Sequence, residues 1–555
     1  MINFFRASLL ILVLTITACS GTKELSQPST SSDTETRVAE TPAKITEPTE
    51  DWHLSPSGSG PFIGTGVDKA YDEIISKNGR NIRVIVAIID SGTDVDHEDL
   101  KANIWVNKDE IPGNGIDDDD NGYVDDIHGW NFIGGPDSTH VSKDTYEMTR
   151  IYASLNKIYE GLTKEDLNES EYEEFEYYQE VKKAFESRKS QNDQELTQLT
   201  QIMTAITESK RILQVENIDS LSTSDLLPKA GDSMYKQQAK QIMSQIIQNG
   251  ATEADINDTQ EYLDYLQGLQ DYGLNPDFDP RGIVGDDYDD LSNRFYGNND
   301  VEGPDHSHGT HVAGIVGAVR TNNIGIKGIA DIELMIIRAV PDGDERDKDV
   351  ANAIRYAADN GARVVNMSFG KGYSPQKWYV DEAVRYADSL GVLMITGAGN
   401  DGNNIDDSDS FPSKYYENGG IASNFINVGA SSWERDSTLA ASFSNYGKEK
   451  VDIFAPGVRI YSTYPDNEYK KEDGTSMAAP VVSGIAALIM SQYPDLSTEQ
   501  VKEIILSTVT LPETVSYTPG SDQKAPFNTL SSTGGIINAY NALLKAQEMS
   551  SKVEQ

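Results

Sequence analysis

The alternation of short apolar strands with helical segments is the feature that most constrains how this chain folds. Residues 82–90 (IRVIVAIID) form a β-branched run that ends in a carboxylate and is followed by a Ser-Gly turn. Such a run is typical of a buried parallel strand with a functional residue at its carboxyl end. Similar runs recur four times, at 334–340, 363–368, 393–396 and 451–454. Helical patterns such as 349–358 separate them, so we predict an α/β fold with a mostly parallel central sheet covered on both faces.

Residues 141–273 break this alternation and show helical spacing instead. Apolar side chains recur at helical intervals in two stretches: Ile151, Leu155, Ile158, Tyr159 and Leu162, and then Leu199, Ile202, Met203 and Ile206. The remaining faces are rich in Gln, Glu and Lys. We predict a helical insertion packed as a hairpin or small bundle. It either stabilises the fold or restricts access to a cleft.

The N-terminus has the pattern of a cleaved bacterial signal. One arginine precedes an apolar stretch at 7–18, and the only cysteine, Cys19, follows. A stretch of this length is too short for a membrane span, which needs about 20 residues. Because residues 16–19 resemble a lipobox, we predict that Cys19 is lipidated, with an ordinary signal as the alternative. The residue after Cys19 is Ser20 rather than Asp, which resembles lipoproteins of the outer membrane.

Three polar residues lie beside glycines in the order Asp, His, Ser. Asp90 lies in IIDSGTD, His308 in HSHGTHVAG and Ser476 in GTSMAAP. A serine hydroxyl is a weak nucleophile that needs a base and a third group to orient that base. Ser476 would begin a buried helix, whose free N–H groups and dipole favour negative charge. We predict that these residues form a catalytic triad that cleaves peptide bonds through an acyl-enzyme.

An anionic tetrahedral intermediate also needs a side-chain donor. Asn400 lies in the run TGAGND at the end of a predicted strand, where its amide can reach a cleft. We assign Asn400 to the oxyanion hole. The alternative is a turn asparagine that caps its own loop.

These motifs resemble those of the subtilisin-like serine peptidases, the subtilases, over residues 83–100 and from about 285 to 546. The resemblance implies a three-layer α/β fold with the same catalytic residues and oxyanion asparagine. It also implies that Ser368, Phe369 and Gly370 pair with an extended substrate. The other wall of the first specificity pocket would then be formed by Gly397, Ala398 and Gly399.

We accordingly divide the chain into six segments. They are a lipoprotein signal peptide at 1–18, a disordered tether rich in Ser, Thr, Pro and Glu at 19–59, a first catalytic part at 60–140, the helical insertion at 141–273, a second catalytic part at 274–548 and a tail at 549–555.

An acidic loop at 114–126 has the spacing of a calcium site. Asp117, Asp119 and Asn121 place oxygen-bearing side chains at alternate positions before the turn glycine Gly122. Tyr123 and Asp125 follow the glycine as further candidate ligands. His128 stands where an EF-hand has glutamate, so the loop is not a full EF-hand. We predict structural calcium, with a solvated acidic loop as the alternative. The subtilase resemblance implies a second site at Asp99, opposite residues 322–325.

The charge balance limits the partners of this chain. Acidic residues number 89 and basic residues 46, which gives a net charge of −43. Such a surface disfavours nucleic acid and anionic lipid. We predict a monomeric, envelope-anchored serine endopeptidase that acts on protein or peptide substrates and is held by lipid on Cys19, at the outer membrane. The alternative is a non-catalytic, calcium-dependent surface protein that binds or adheres.

Overall fold

The computed structural model describes residues 47–553 except 58, 59, 61, 80 and 81. The predicted signal peptide, Cys19 and most of the predicted tether lie outside these residues. The described chain forms two compact units. The sheet unit comprises residues 47–150 and 276–553, and the helical unit comprises Ile151–Asn275.

The sheet unit is built on seven strands: β1 Ile85–Asp90, β2 Gly129–Asn131, β3 Glu333–Arg338, β4 Val364–Met367, β5 Leu393–Gly397, β6 Phe425–Ser431 and β7 Ile453–Pro456. Their order across the sheet is β2-β3-β1-β4-β5-β6-β7, and all neighbours are parallel. Two antiparallel hairpins accompany the sheet: β8 Ile460–Tyr464 with β9 Glu468–Glu472, and β10 Val515–Tyr517 with β11 Lys524–Pro526.

Ten longer helices complete the described chain: α1 Glu147–Tyr159, α2 Tyr172–Leu213, α3 Met234–Gln248, α4 Glu253–Gly268, α5 Ser307–Gly317, α6 Asp347–Asp359, α7 Lys377–Ser389, α8 Thr475–Gln492, α9 Thr498–Ser507 and α10 Ala539–Val553. A short helical segment, Val67–Ala70, continues through a π turn at Tyr71–Ile75 to Ser76–Asn78. A second π turn, Leu269–Gly273, extends α4.

Alternate side chains of β1 enter two different cores. Val86 and Ile88 belong to the core that contains residues of α5 and α8. Ala87 and Ile89 belong to the core that contains residues of α6 and α7. Because successive strand residues point to opposite faces, the sheet is covered on both sides. The prediction of a three-layer α/β fold with a mostly parallel sheet is confirmed.

Helix α8 lies at the centre of the sheet unit, and every one of its residues is buried. It is the one helix of the described residues that is long and apolar enough to cross a membrane. Its complete burial identifies it as a core helix instead. The consequence for the site is that Ser476 lies at the start of a rigidly packed element.

The helical unit contains α2, α3 and α4, together with most of α1, which begins in the sheet unit. On α2, Leu199, Ile202, Met203 and Ile206 are buried, as their spacing predicts. On and beyond α1, Ile158 is 56% and Leu162 39% exposed, so these two do not join a core. Tyr159, Phe175 and Tyr178 form a small apolar cluster within this unit instead.

Candidate active site

Asp90 and His308 meet at the carboxyl edge of the sheet. Asp90 ends β1 and is 2% exposed, while His308 is the second residue of α5. His308 Nδ1 donates to Asp90 Oδ1 at 2.7 Å. The backbone N–H of Ser91 donates to the same oxygen at 2.8 Å. The carboxylate therefore fixes the tautomer of the imidazole and leaves Nε2 available as a base.

The electrostatics of His308 suit a general base. Burial lowers the pKa of its imidazole. The charge of Asp90 and the hydrogen bond to Asp90 raise that pKa by more than burial lowers it, so the net shift is upward. The imidazole is 41% exposed. Its Nε2 has no hydrogen-bond partner among the described residues. The Nε2 atom of His308, on the side of the ring away from Asp90, is therefore free to accept a proton.

Ser476 is the second residue of α8 and is 8% exposed. Its hydroxyl donates to the carbonyl oxygen of Ser368 at 3.1 Å. No hydrogen bond joins Ser476 to His308 within the described chain. Catalytic hydrogen bonds are commonly long or misaligned without substrate, so this arrangement is compatible with a catalytic role for the hydroxyl. The assignment of the full triad stays a prediction.

Two N–H donors close to the Ser476 hydroxyl lack partners among the residues that the structure describes. Asn400 Oδ1 accepts from the N–H of Thr475 at 2.9 Å and from its hydroxyl at 3.1 Å. These bonds fix the amide so that its Nδ2 is free to donate. Within the described chain, neither Asn400 Nδ2 nor the N–H of Ser476 has a partner. This is the donor pair that a developing oxyanion requires.

A hairpin ties the helix of the base to the segment that leads into the nucleophile. His311 is fully buried on α5, and its Nε2 donates to the carbonyl oxygens of Ile460 on β8 and Lys470 on β9, at 3.1 and 3.0 Å. Burial lowers the pKa of His311 to about 4, so the ring stays neutral. The hairpin runs directly into Thr475 and Ser476.

The predicted substrate residues border the first turn of α8. Ser368, Phe369 and Gly370 follow β4, and the hydroxyl of Ser368 donates to the carbonyl oxygen of Ser476 at 2.8 Å. Gly397, the last residue of β5, also lies close to the first turn of α8, because a Cβ on Gly397 would stand 3.0 Å from Thr475 Oγ1.

Ala398 and Gly399 continue this second segment after β5. Ala398 is fully buried. Gly399 has a φ of +98°, and a Cβ there would lie 2.4 Å from Asn445 Nδ2, so this position requires glycine. Both segments hydrogen-bond to the first residues of α8, and their contact with substrate stays a prediction.

Comparisons with known proteins identify the family of this chain. A family model described as the subtilase family matches residues 81–534. The chain belongs to the subtilase family. Subtilisin DY from Bacillus licheniformis is 40% identical over 210 residues, which cover 37% of this chain and 71% of that relative.

Other relatives are also peptidases. A thermophilic serine proteinase from Bacillus sp. (strain AK1) is 41% identical over 222 residues, 39% of this chain and 49% of the relative, so the chain spans about half of its length. A solved structure of proteases from Pseudoalteromonas arctica matches 45% of this chain and 74% of that chain at 28% identity, with a TM-score of 0.37. This subtilase is a serine-type endopeptidase.

Subtilases generally bind structural calcium, and the acidic loop of this subtilase brings carboxylates together. Oxygens of Glu110, Asp119 and Asp126 lie within 4.8 Å of one another. Glu110 is 5% and Asp126 0% exposed. Burial raises the pKa of Asp126 to about 6 although Tyr356, Asn107 and Asn121 donate to it, and the charge of Asp119 also raises it. Clustered, buried carboxylates of this kind fit a hard divalent cation.

Glu110 and Asp126 were missed by the sequence analysis, and other predicted ligands hydrogen-bond within the loop. Asp125 accepts from the N–H groups of Gly113, Asn114 and Gly115. Asp117 accepts from the N–H groups of Asn121 and Gly122.

Asn121 and Tyr123 are likewise engaged. Asn121 Oδ1 accepts from the N–H of Tyr123 at 2.8 Å. The hydroxyl of Tyr123 donates to the carbonyl oxygen of Arg294 at 3.2 Å, so the backbone carbonyl oxygen of Tyr123 is its remaining candidate ligand. Of the predicted set, Asp119 is the residue that contributes a carboxylate oxygen to the cluster with Glu110 and Asp126, and Asn121 Nδ2 donates to Asp126 at 3.1 Å.

The second predicted calcium ligand, Asp99, is fully buried and faces the predicted partner loop. Its carboxylate accepts from Asn322 Nδ2 at 2.6 Å and from the N–H of Ile326 at 2.9 Å. Tyr469 donates a third bond at 3.3 Å. These donors satisfy the carboxylate without an ion, and calcium binding at Asp99 stays a prediction.

Proposed function

We propose that this subtilase hydrolyses peptide bonds of extended protein substrates with Asp90, His308 and Ser476 as its triad and Asn400 in its oxyanion hole. The observation that carries the proposal is the 2.7 Å bond from His308 to the buried Asp90, which leaves Nε2 unpartnered. The free N–H of Ser476 and the fixed amide of Asn400 support it.

The reaction follows from these positions. The hydroxyl of Ser476 leaves the carbonyl of Ser368, gives its proton to His308 Nε2 and attacks the scissile carbonyl carbon. Asn400 Nδ2 and the N–H of Ser476 stabilise the oxyanion. His308 then protonates the leaving amine, and the acyl-enzyme forms. His308 then takes a proton from water, which attacks the acyl carbon; the bond from that carbon to Ser476 Oγ breaks, His308 returns the proton to Ser476 Oγ, and the acid product is released.

A fluorophosphonate probe tests this assignment. We expect covalent labelling of the wild type at Ser476, no labelling of Ser476→Ala, and full labelling of the matched variant Ser491→Ala on the same helix. Digestion of an unfolded protein should follow the same pattern. Absence of labelling in folded wild type would favour the alternative of a non-catalytic binding protein.

We also propose that Glu110, Asp119 and Asp126 hold a calcium ion. The three carboxylates supply hard oxygen ligands, and two of them are buried. Bound calcium would neutralise their mutual repulsion and stabilise the loop. No step of peptide hydrolysis involves these residues.

We further propose that the protein is anchored in the cell envelope by lipid on Cys19 and acts as a monomer. The proposal rests on the sequence, in which Cys19 is the only cysteine. Radiolabelled fatty acid should be incorporated in the wild type and in Ser20→Ala, and both should sediment with membranes. Cys19→Ala should lose both properties. Release of the wild type without label would contradict the anchor.

A further inference from the structure

A proline inside α8 leaves the nucleophile's own carbonyl oxygen without a helical partner. In an α-helix the N–H of residue 480 would donate to the oxygen of residue 476, but Pro480 has no N–H. The hydroxyl of Ser368 fills this position, donating to Ser476 O at 2.8 Å. The backbone of the nucleophile is thus held by a side chain from outside its helix.

The hydroxyl of Ser368 is itself oriented by Asn366. Asn366 is fully buried, and its side-chain Nδ2 donates to Ser368 Oγ at 2.9 Å. A hydroxyl carries one proton and accepts through its lone pairs. Because Asn366 occupies the accepting side, the proton of Ser368 is directed to Ser476 O.

The other end of the amide is anchored on α8. Asn366 Oδ1 accepts from Ser483 Oγ at 2.8 Å, and Ser483 is fully buried. Ser483 lies seven residues after Ser476, which is about two turns along the same helical face. Asn366, on β4, therefore bridges the first turns of α8 through two hydroxyl groups, and the Ser483 hydroxyl has a second, longer acceptor in the carbonyl oxygen of Ala479 at 3.2 Å.

We propose that Asn366 is a positioning residue for Ser476. It acts through Ser368, whose hydroxyl holds Ser476 O and whose carbonyl accepts the Ser476 hydroxyl at 3.1 Å. The proposal rests on the proposed function and names a residue that the sequence analysis did not select. The signal in the sequence is Pro480, which predicts an unpartnered carbonyl at position 476.

The chemistry requires an amide at this position. An ionised aspartate accepts only, so at a pH above the pKa of this carboxyl, which burial raises, both Ser368 and Ser483 would turn their protons towards it. Ser476 O would then be buried without a donor, which costs as much as a lost hydrogen bond. The change is nearly isosteric, so packing is preserved while the direction of one hydrogen bond is reversed.

The test is Asn366→Asp, with Asn352→Asp as a matched control. Asn352 is also fully buried, and it too lies between two hydroxyl groups, those of Tyr296 and Tyr379. For Asn366→Asp we expect fluorophosphonate labelling and kcat to fall about 10-fold or more, with KM within about twofold of wild type. Asn352→Asp should label at the wild-type rate.

A double-mutant cycle separates positioning from general destabilisation. If Asn366 acts through the Ser368 hydroxyl, Asn366→Asp should cost little in a Ser368→Ala background. An undiminished loss in that background, a wild-type rate for Asn366→Asp, or equal losses in both aspartate variants would overturn the inference.

Two further outcomes are an Asn366→Asp variant that does not fold and a wild type that is not labelled. If Asn366→Asp does not fold, Ser368→Ala alone decides: its labelling should fall about 10-fold, and a wild-type rate would overturn the inference. If the wild type itself is not labelled at Ser476, the proposed function fails, which is a different result from a labelled wild type with an unaffected Asn366→Asp.

Discussion

Gly309 lies directly against the carbonyl oxygen of Gly92, and a Cβ on Gly309 would stand 2.0 Å from that oxygen and 3.2 Å from Asp90 Cβ. Gly309 follows the proposed base, and Gly92 lies two residues after the carboxylate that orients it. The missing side chain allows the two segments to approach closely enough for the 2.7 Å bond between His308 and Asp90.

Substituting Gly309 should therefore displace the base. For Gly309→Ala we expect the labelling rate of Ser476 to fall by roughly 100-fold, the cost of about 1 Å of misplacement in an active site. Gly282→Ala is the control, because a Cβ there meets open space. Equal labelling rates and melting temperatures for the two variants would contradict the role of this approach.

The raised pKa of His308 predicts a pH profile. The base must be neutral, so kcat/KM should be lost as pH falls through a midpoint above about 6.5, the ordinary value for histidine. Asp90→Asn should lower both the midpoint and kcat, the latter by about 10⁴-fold. A wild-type midpoint at or below the ordinary value would argue against the Asp90 contact.

The same shift has a consequence for stability. A histidine whose pKa is higher in the folded than in the unfolded state stabilises the fold most fully below the unfolded value. That contribution is lost as pH rises through the folded pKa of His308.

Asn400→Asp separates the two functions of the Asn400 amide. Aspartate can still accept from Thr475, but it cannot donate to an oxyanion. We expect kcat to fall about 10²- to 10³-fold, the range seen in subtilisin itself, with KM little changed. The control is Asn404→Asp on the neighbouring exposed loop. A similar loss in both variants would contradict an oxyanion role.

Removing calcium should destabilise the acidic loop. We expect a chelator to lower the melting temperature of the wild type, since saturation at 100 times Kd contributes about 2.7 kcal/mol. Glu110→Gln should bind the ion more weakly and respond less, whereas the exposed Asp522→Asn should respond as wild type. A wild type whose melting temperature is unchanged by chelator would exclude a stabilising ion.

A buried ion pair next to the predicted substrate segment should contribute to stability in acid. Lys371 Nζ lies 2.7 Å from Glu147 Oε2, and both side chains are buried. Burial raises the pKa of Glu147, but Lys371 and Arg150 lower it more, to about 2.

This pair therefore stabilises the fold above pH 4.5, and its contribution is lost as pH falls towards 2. In urea unfolding at pH 7, the free energy of unfolding of Glu147→Gln should be roughly 3 kcal/mol below that of wild type, whereas the exposed Glu449→Gln should match wild type. The difference in unfolding free energy between Glu147→Gln and wild type should be smaller at pH 3. A gap that is equal at both pH values would contradict the depressed pKa.

Local patterns predicted five of the seven strands and the elements that carry Asp90 and Ser476, but not the strands β2 and β6. The β-branched run that ends at Asp90 is buried on both faces, and Ser476 opens a buried helix, because each property depends on a few adjacent residues. The contacts of Asn366 depend on how α8 packs on β4, and Ser483 lies 117 positions away in sequence.

The acidic loop shows the same limit. Asp125 adopts a left-handed backbone with φ 53°, and its carboxylate turns to the N–H groups of residues 113–115. Alternating carboxylates in the sequence could not predict this path, nor the convergence of Glu110 with Asp126. Ligand sets of irregular loops depend on backbone conformation, which residue spacing alone does not determine.

The hydrogen bond between His308 and Asp90 spans 218 positions of sequence, and the entire helical unit is encoded between the two residues. Ribosomes extend chains at about 5–20 residues per second, so the carboxylate waits many seconds for its imidazole. Ser476, the proposed nucleophile, is translated later still. Under the proposed mechanism, a growing chain lacks a complete triad until synthesis has passed position 476.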